Sequence, residues 1–482
     1  MAPTLVLVLA AGEGTRMRSA HAKVLHPANG RALVSHVLAA TVPLQSANTC
    51  VVVGHQRERV REHLDRRHPG TLTAVQDVQN GTGHAVREAL QQLDAQGVDV
   101  SNGTVMVLTG DTPLLTAQTL ASLQAQHESA GAAATVLTAV VPDATGYGRI
   151  IRSDSGDVLG IVEHKDASEA QRAIREFNSG IYVFDLLLLR EALTRLTTDN
   201  AQGEEYLTDV LAILREGGHR VSASIVADAD EVMGVNDRVQ LALASQLLRS
   251  RTNLMWMREG VSIIDPETTW IESDVVLARD VVIEPSTYLR GETSIAEGAV
   301  VGPDTTLVDC AVGAGAVVLR SHAAGATIGA AATVGPFSYL RPGTVLGEKA
   351  KAGAFVEMKN VSVGRGSKVP HLSYVGDAEI GHDTNIGAAT IFVNYDGVDK
   401  HRTVIGSGVR IGSDTMLVAP VTVGDGAYTA AGSVITTNVP AGSLAVARAT
   451  MRIIEKWVLR KRAGTTSAEL AQAALDQNGD PA

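Results

Sequence analysis

Seven aliphatic residues, Ile271, Leu277, Ile283, Leu289, Ile295, Val301 and Leu307, fall at intervals of six. Seven hits at one fixed phase arise by chance on the order of once in a thousand starts. Neither an α-helix nor a simple strand has that period. A parallel β-helix does, because each six-residue repeat is one short flat side whose aliphatic residue points into a prism. Three sides close a coil, so a left-handed triangular β-helix is expected. The beat resumes at Ile405, Ile411, Leu417 and Val423, and glycine follows the aliphatic residue at Ile328-Gly329, Val334-Gly335, Leu346-Gly347, Ile380-Gly381, Ile386-Gly387, Ile405-Gly406, Ile411-Gly412 and Val423-Gly424. It breaks at Pro370-His371 and from Phe392 to Arg402. Breaks in a solenoid are read as loops, and loops on a rigid scaffold often carry function.

The first half obeys different rules. Through about residue 235, apolar runs such as VLVLAA, TCVVVGH, TVMVLTGD and AAATVLTAVV alternate with amphipathic stretches such as ALVSHVLAATV, ERVREHLDRR and LTAQTLASLQAQHE. That alternation implies α/β architecture, a mostly parallel sheet covered on both faces with ligands at the carboxyl ends of its strands. Gly12, Gly54 and Gly110 all stand just past a strand on that edge. Residues 1–236 therefore read as one domain. Residues 237–259 read as a linking helix in which Val239, Leu243, Leu247, Leu254 and Met257 keep helical spacing and Gly260 ends it. The β-helix domain takes 260–462, and the small polar residues 463–482 are expected to form a disordered tail.

Composition narrows the partners. A formal charge of −11 argues against nucleic acid, whose backbone demands a basic surface. A small anionic substrate needs only one local group of Lys and Arg. The two cysteines, Cys50 and Cys310, have no metal-ligand spacing and suit a reducing compartment. No basic leader and no apolar span of membrane length are visible, so a cytoplasmic protein without membrane insertion is expected.

Several groups can carry chemistry. In LVLVLAAGEGTRMRSAHAKVL the order strand, glycine turn, helix is a phosphate-holding pattern, with Arg16 and Lys23 adding positive charge for a transferring phosphoryl group. A βα turn that needs glycine for geometry is the plainer alternative. Asp111, in Thr109-Gly110-Asp111, is a strand-end carboxylate that can hold Mg²⁺ together with substrate phosphates, or simply cap a helix. QNGTGHA (Gln79 to Ala85) is a glycine turn entering a helix, and TGYGR (Thr145 to Arg149) a turn before a strand. Glu163, Asn178 and Gly180 reach a sugar only if the fold assembles them. In the second half His371 sits in KVPHLSYVGD, and neutral imidazole is the natural base for an amine near pH 7. A lone surface histidine is the alternative. Arg341, Lys359, Tyr374 and Asn394-Tyr395 offer cations and donors. MRIIEKWVLRKR is a basic amphipathic stretch that could meet coenzyme A phosphates or form a solvated helix.

The segments LAAGEGTRM, KVLH, NGTGHA, GDTPL, TGYGRI, GIVEHKDA, NSGIYVF, GVNDR, GPFSYLRPG, FVEMKN, GSKVPHLSYVGDAEIG, NIGA, NYDG and GSDTMLVAPVTVG follow one another in this order. Together they resemble the bacterial family of bifunctional N-acetylglucosamine-1-phosphate uridyltransferases/glucosamine-1-phosphate N-acetyltransferases, over nearly the whole chain. The resemblance implies a Rossmann-like nucleotidyltransferase domain that converts UTP and N-acetylglucosamine-1-phosphate to UDP-N-acetylglucosamine and pyrophosphate, a precursor for peptidoglycan. On the matching positions Leu9, Ala10, Ala11 and Gly12 hold the nucleotide, and Arg16 and Lys23 are catalytic phosphate-binding cations. Gln76, Gly81 and Thr82 read uracil, and Thr109, Gly110 and Asp111 line the nucleotide site. Asp111 and Asn236 hold Mg²⁺, while Gly148, Glu163 and Asn178 hold the sugar.

The same resemblance makes the β-helix an acetyltransferase that acts on glucosamine-1-phosphate and acetyl-CoA, with His371 as general base. Arg341, Lys359, Tyr374 and Asn385 fall on glucosamine-1-phosphate positions, and Ala388, Asn394, Tyr395, Ser413, Ala431 and Arg448 on acetyl-CoA positions. It also implies a homotrimer whose sites draw on neighbouring subunits. Ala389 stands where glycine is usual, Val393 where cysteine is frequent, and Thr109 where tyrosine is also known. Two rival readings are another sugar-1-phosphate nucleotidyltransferase with a regulatory β-helix, and a non-enzymatic exchange subunit that kept both folds. A regulatory β-helix has no need of His371 beside Lys359, and a scaffold has no need of Lys23 and Asp111.

Overall fold

The computed structural model describes residues 2–477 and 479, and the chain divides into two compact units, 1–325 and 326–482. In the first unit the apolar runs form nine strands: β1 (Leu5–Ala10), β2 (Asn48–Val53), β3 (Leu72–Val75), β4 (Thr104–Thr109), β5 (Ala134–Val140), β6 (Arg149–Arg152), β7 (Val158–Val162), β8 (Glu176–Asp185) and β9 (Val221–Ile225). The sheet runs β9-β5-β8-β4-β1-β2-β3, with β6 and β7 as a hairpin on β8. Its β4-β1-β2-β3 half is parallel as expected. Strand β8 runs antiparallel to both neighbours, which the alternation of runs did not reveal.

Successive residues of β1 bury themselves on opposite faces. Leu5 and Leu7 join one core, and Val6 and Val8 the other. A strand apolar at every position is what a sheet covered on both sides requires. The carboxyl ends of β4, β1, β2 and β3 consequently emerge side by side, and the loops that follow β1, β3 and β4 build a cleft.

The linking helix spans Arg238–Arg258, and the Asp237 carboxylate caps it by accepting from the Gln240 amide. Its buried face is not the expected stripe. Val239 is 79% exposed and Leu243, Leu254 and Met257 are also at the surface, whereas Ala244, Arg249 and Asn253 are buried. The reason lies in what the helix covers. Asn253 Nδ2 donates to the carbonyls of Pro266 and Thr269 at 3.0 Å, and the Arg249 guanidinium lies 4.8 Å over the Trp270 ring. The start of a solenoid exposes backbone groups with no coil beneath them, so amide and guanidinium donors serve there better than leucine.

The six-residue beat builds the coils. In the first unit Ile271 pairs in parallel with Leu289, and Leu289 with Leu307, so each meets the residue three repeats further along. Three repeats therefore make one turn, and these inward side chains are wholly buried. In the second unit Leu340 pairs with Met358, and Leu417 with Ile435, at the same interval. A second regularity was not read from sequence. Buried threonines recur, and the hydroxyls of Thr287, Thr293, Thr344, Thr390 and Thr415 each donate to the carbonyl three residues before, at 2.6–2.8 Å. Coils lie so close that a Cβ on Gly329 would meet the Gly347 carbonyl carbon at 2.7 Å, which accounts for the aliphatic-glycine pairs.

The two expected loops have different outcomes. At Pro370-His371 there is none, because Lys368–His371 is a strand in register with Lys351–Ala354. The other is real. Ile380 pairs with Ile405 and Phe392 with Leu417, a longer step than three repeats, so the surplus chain leaves the coil around Asn394–Arg402. Near the end of the chain the basic stretch forms only a five-residue helix, Trp457–Lys461. Within the expected tail Thr466–Gln477 is helical, a run of Ala, Glu, Gln and Leu that forms helix readily, with Thr465 Oγ1 accepting from the Ala468 amide; 478 and 480–482 lie outside the described residues. No helix among the described residues is long and apolar enough to cross a membrane.

Candidate active sites

The loops after β1, β3 and β4 enclose a cleft of 280 Å³, lined by Leu9, Ala10, Ala11, Gly12, Lys23, Gln76, Gly81, Thr82, Thr109 and Asp111 among others. Ten residues singled out from sequence thus share one concavity. Gly110 is in the same turn, its amide donating to Leu9 O at 2.9 Å. The glycine loop differs from expectation in one respect. It leads into single 3-10 turns, Thr15–Met17 and Lys23–Leu25, and the first α-helix starts only at Leu33. No α-helix N-terminus faces the cleft from this loop, which contributes the cation Lys23 instead; the helix that begins at the cleft is Thr82–Ala95, with Gly81 before it. Gly14 serves Lys23. It has φ of 64°, and a Cβ there would lie 2.5 Å from Lys23 Cβ, so only glycine lets the lysine stem pass.

Lys23 Nζ stands 2.5 Å from Asp111 Oδ2 and 3.1 Å from Asn236 Oδ1, and Arg16 donates to the same amide oxygen at 3.0 Å. Four residues spread over 220 positions meet at one point. Asp111 caps no helix, since the next one begins at Ala117 with Thr116 as its cap. A carboxylate and an amide oxygen therefore face a single position now held by an ammonium group. Oxygen donors around one cationic position suit a hard divalent ion completed by substrate phosphates.

Gln76 is buried, and its Nε2 donates to Gly81 O at 3.0 Å. Glu163 lies against Gly148, where a Cβ would come 3.3 Å from its carboxylate, and Asn178 N donates to Gly148 O at 2.9 Å. The three residues expected to hold a sugar form a second cluster at the open end of β8. Burial, reinforced by the carboxylates of Asp166, Asp209 and Glu204, pushes the Glu163 carboxyl above its ordinary range. Four lining residues were not singled out, Val24, Gln79, Ala85 and Glu204; among them Gln79 Nε2 donates to Ala11 O at 2.6 Å and ties two loops together. Gln79 sits inside the quoted glycine turn, but nothing in its spacing aims it at Ala11.

In the second unit His371 is exposed at the end of its strand. Its carbonyl accepts from Ala389 N at 3.2 Å, Ala388 O from Asp414 N at 2.7 Å, and Ser413 O from Gly432 N at 2.9 Å. His371, Ala388, Ser413 and Ala431 thus follow one another down a single corner of successive coils, and Arg448 donates to Ala431 O at 2.9 Å. Residues far apart in sequence become one column because each coil repeats the last.

A second group stands on a neighbouring side. Lys359 Nζ is 3.9 Å from Asp377, whose carboxylate also accepts from Asn394 Nδ2 at 2.5 Å and Asn360 Nδ2 at 2.7 Å. The Tyr374 hydroxyl and the Asn394 amide converge over Gly376, where a Cβ would come within 2.5 Å and 2.7 Å of them. Burial raises the Asp377 carboxyl, but hydrogen bonds from Asn360 and Asn394 and the charges of Lys359 and Lys400 outweigh it and hold the group below its ordinary range. Arg341 pairs with Glu357 at 3.0 Å, and Glu357 is the strand partner of Tyr374. Asn385 is not part of this group and pairs with Lys368 on another side of the coil. Tyr395 lies in the inserted loop, bridged to Lys400. Asp377, which organises Lys359 and Asn394, was not foreseen: it reads as one more corner residue, with φ of 51°.

Known proteins match this division. Residues 6–175 fit the MobA-like NTP transferase domain, and residues 402–437 the bacterial transferase hexapeptide of six repeats. A protein of Streptomyces avermitilis described as bifunctional protein GlmU is 60% identical over 473 residues, covering 98% of this chain and 97% of its own. Proteins of the same description from Streptomyces coelicolor, 60% identical over 472 residues, and Corynebacterium aurimucosum, 54% over 474, cover 98% of this chain and 97% and 96% of theirs.

Proposed function

The chain belongs to the family of bifunctional GlmU proteins, and from that premise we propose how its residues divide two transfer reactions between them. It is a transferase twice over: it acetylates glucosamine-1-phosphate from acetyl-CoA, and it joins the resulting N-acetylglucosamine-1-phosphate to the uridylyl group of UTP, releasing pyrophosphate.

In the cleft of the first unit, a sugar-phosphate oxygen attacks the α-phosphorus of UTP and pyrophosphate leaves. The work of the protein is positioning and neutralising charge. Leu9 to Gly12 hold the nucleotide through backbone groups, and Gln76, whose amide nitrogen is engaged, offers uracil its oxygen. Arg16 and Lys23 bind phosphates, and Gly148, Glu163 and Asn178 the sugar. Asp111 and Asn236 are the fitting holders of Mg²⁺, which when bound spreads the negative charge of the reacting phosphates. The lysine then exchanges its carboxylate partner for a phosphate.

In the second unit the amine of glucosamine-1-phosphate attacks the thioester carbonyl. His371 accepts the amine proton and coenzyme A leaves as the thiol or thiolate. Lys359 and Arg341 bind the sugar phosphate, with Tyr374 beside it and Asn385 reaching from the adjacent side. The column of Ala388, Ser413 and Ala431, ending in Arg448, supports acetyl-CoA, with Asn394 and Tyr395 of the inserted loop. The chain assembles as a homotrimer and works in the cytoplasm. Supporting the trimer, the stacked rings of Phe337 and Phe355 and the side chain of Leu372 are 53%, 58% and 59% exposed beside His371, an apolar surface that suits coverage by another copy. Light scattering that returned the mass of one chain would exclude the trimer.

The observation that carries this reading is that each unit gathers a group of its own: Lys23, Asp111 and Asn236 meet at one point in the first, and His371 stands above its column in the second. The test supplies glucosamine-1-phosphate, acetyl-CoA, UTP and Mg²⁺, and withholds each in turn. UDP-N-acetylglucosamine should form only from the full set. Its formation without acetyl-CoA would refute the acetyl-transfer half.

A further inference from the structure

A second concavity of the first unit, 440 Å³ in volume, shares no lining residue with the UTP cleft. One wall is the helix Leu33–Thr41 with Arg31 just before it, and another the helix Arg57–Arg67 with His68 at its end. Asp274 and Glu292 of the first coils form a third. At its base the buried Ser35 hydroxyl lies 2.7 Å from His63 Nε2 and 2.8 Å from His68 Nε2. A hydroxyl has one proton, so it donates to one ring and accepts from the other.

Part of this arrangement has a structural explanation. Arg31 pairs closely with Asp274 and fastens the helix to the coils. That leaves Arg66 and Arg67 unaccounted for. Their carboxylates are distant, Glu62 at 3.9 Å and Glu292 at 3.6 Å, and all four side chains are more than half exposed. Such pairs contribute little and exchange readily for a better acceptor. Burial holds both histidines below their ordinary pKa. Arg66 and Arg67 press further on His63; His63, Arg31 and Arg67 press on His68, with only Asp274 opposing. Three guanidinium groups, Arg31, Arg66 and Arg67, thus line the concavity against two carboxylates, Asp274 and Glu292.

We propose that this concavity binds a small phosphate monoester, its phosphate taken by Arg66 and Arg67 at the rim and by Ser35, His63 and His68 at the base. Guanidinium forks suit phosphate oxygens, and the volume leaves room for a sugar-sized body. An incoming dianion favours the protonated rings, so binding takes up protons.

The test uses the full-length protein with inorganic phosphate as probe and the ring signals of His63 and His68 as reporters, assigned with His63→Gln and His68→Gln. Both signals should move saturably with phosphate, and both titrations should shift to higher pH. Arg66→Ala/Arg67→Ala should weaken that response about tenfold and leave uridylyl transfer without added phosphate unchanged. Ring signals that stay still while phosphate fills the UTP cleft, or an undiminished response in the double variant, would overturn the proposal.

Discussion

The two sites are built in opposite ways. In the first unit the groups sit on loops at the ends of parallel strands, enclosed in a cleft, and its charges are paired inside it: Lys23 with Asp111, both largely buried. In the second unit they stand on a lattice whose rows recur once per coil, and the proposed base is exposed. The first kind of site needs many distant segments to agree on one point and then closes within a single fold. The second needs only a repeat, but a ladder of flat sides presents its residues outward and leaves their enclosure to whatever packs against it. On this contrast the proposed trimer would serve the β-helix, while the α/β layer has its cleft already.

If the sites are as independent as this contrast implies, damage to one spares the other. His371→Ala should lower acetyl transfer about 10³-fold, the scale of a lost general base, with uridylyl transfer unaltered; an unchanged acetylation rate would remove His371 from the reaction. Asp111→Ala should reduce UTP-dependent pyrophosphate release by about 10²-fold or more and leave acetyl transfer intact.

Smaller changes sharpen the contrast. Asp377→Ala releases Lys359 and Asn394, and should raise the KM for glucosamine-1-phosphate about tenfold, the cost of a lost charge-assisted contact, with a lesser fall in kcat. Because the folded carboxyl titrates below its unfolded value, its contribution to stability is present at neutral pH and lost as pH falls through the folded value. Thermal unfolding of the variant should therefore converge on that of the parent in acid. Glu163 works in the opposite sense, its carboxyl raised chiefly by burial. Between the unfolded and folded values the native state holds the extra proton, so stability falls as pH rises through that window. Glu163→Gln should raise Tm at pH 7, the smallest of these effects, and the gain should disappear in acid; a lower Tm at pH 7 would show that the carboxylate is better solvated than its surroundings imply.

The same contrast governs what could be read from sequence. A repeat announces itself: Ile271, Leu289 and Leu307 gave period, side length and inward face together, and their pairing from coil to coil is the direct consequence. The cleft was legible as a set of residue types at strand ends, without geometry. That Asp111 meets Lys23 rather than capping a helix depends on where the next helix starts, and that Gln79 reaches Ala11 depends on the packing of two loops. The linking helix failed as a pattern because its neighbour is a solenoid end with open carbonyls, so Arg249 and Asn253 went inside and Val239 and Leu243 outside. The break at His371 failed for a related reason: a strand may lose its aliphatic beat and still keep its backbone register.

One experiment addresses the central claim, two separate reaction centres in one chain. Asp111→Ala and His371→Ala proteins are each given glucosamine-1-phosphate, acetyl-CoA, UTP and Mg²⁺, and are then mixed. Alone, the first should accumulate N-acetylglucosamine-1-phosphate and the second should consume nothing, while the mixture should make UDP-N-acetylglucosamine. A mixture as inactive as its components, or either variant lacking both half-reactions, would contradict the account.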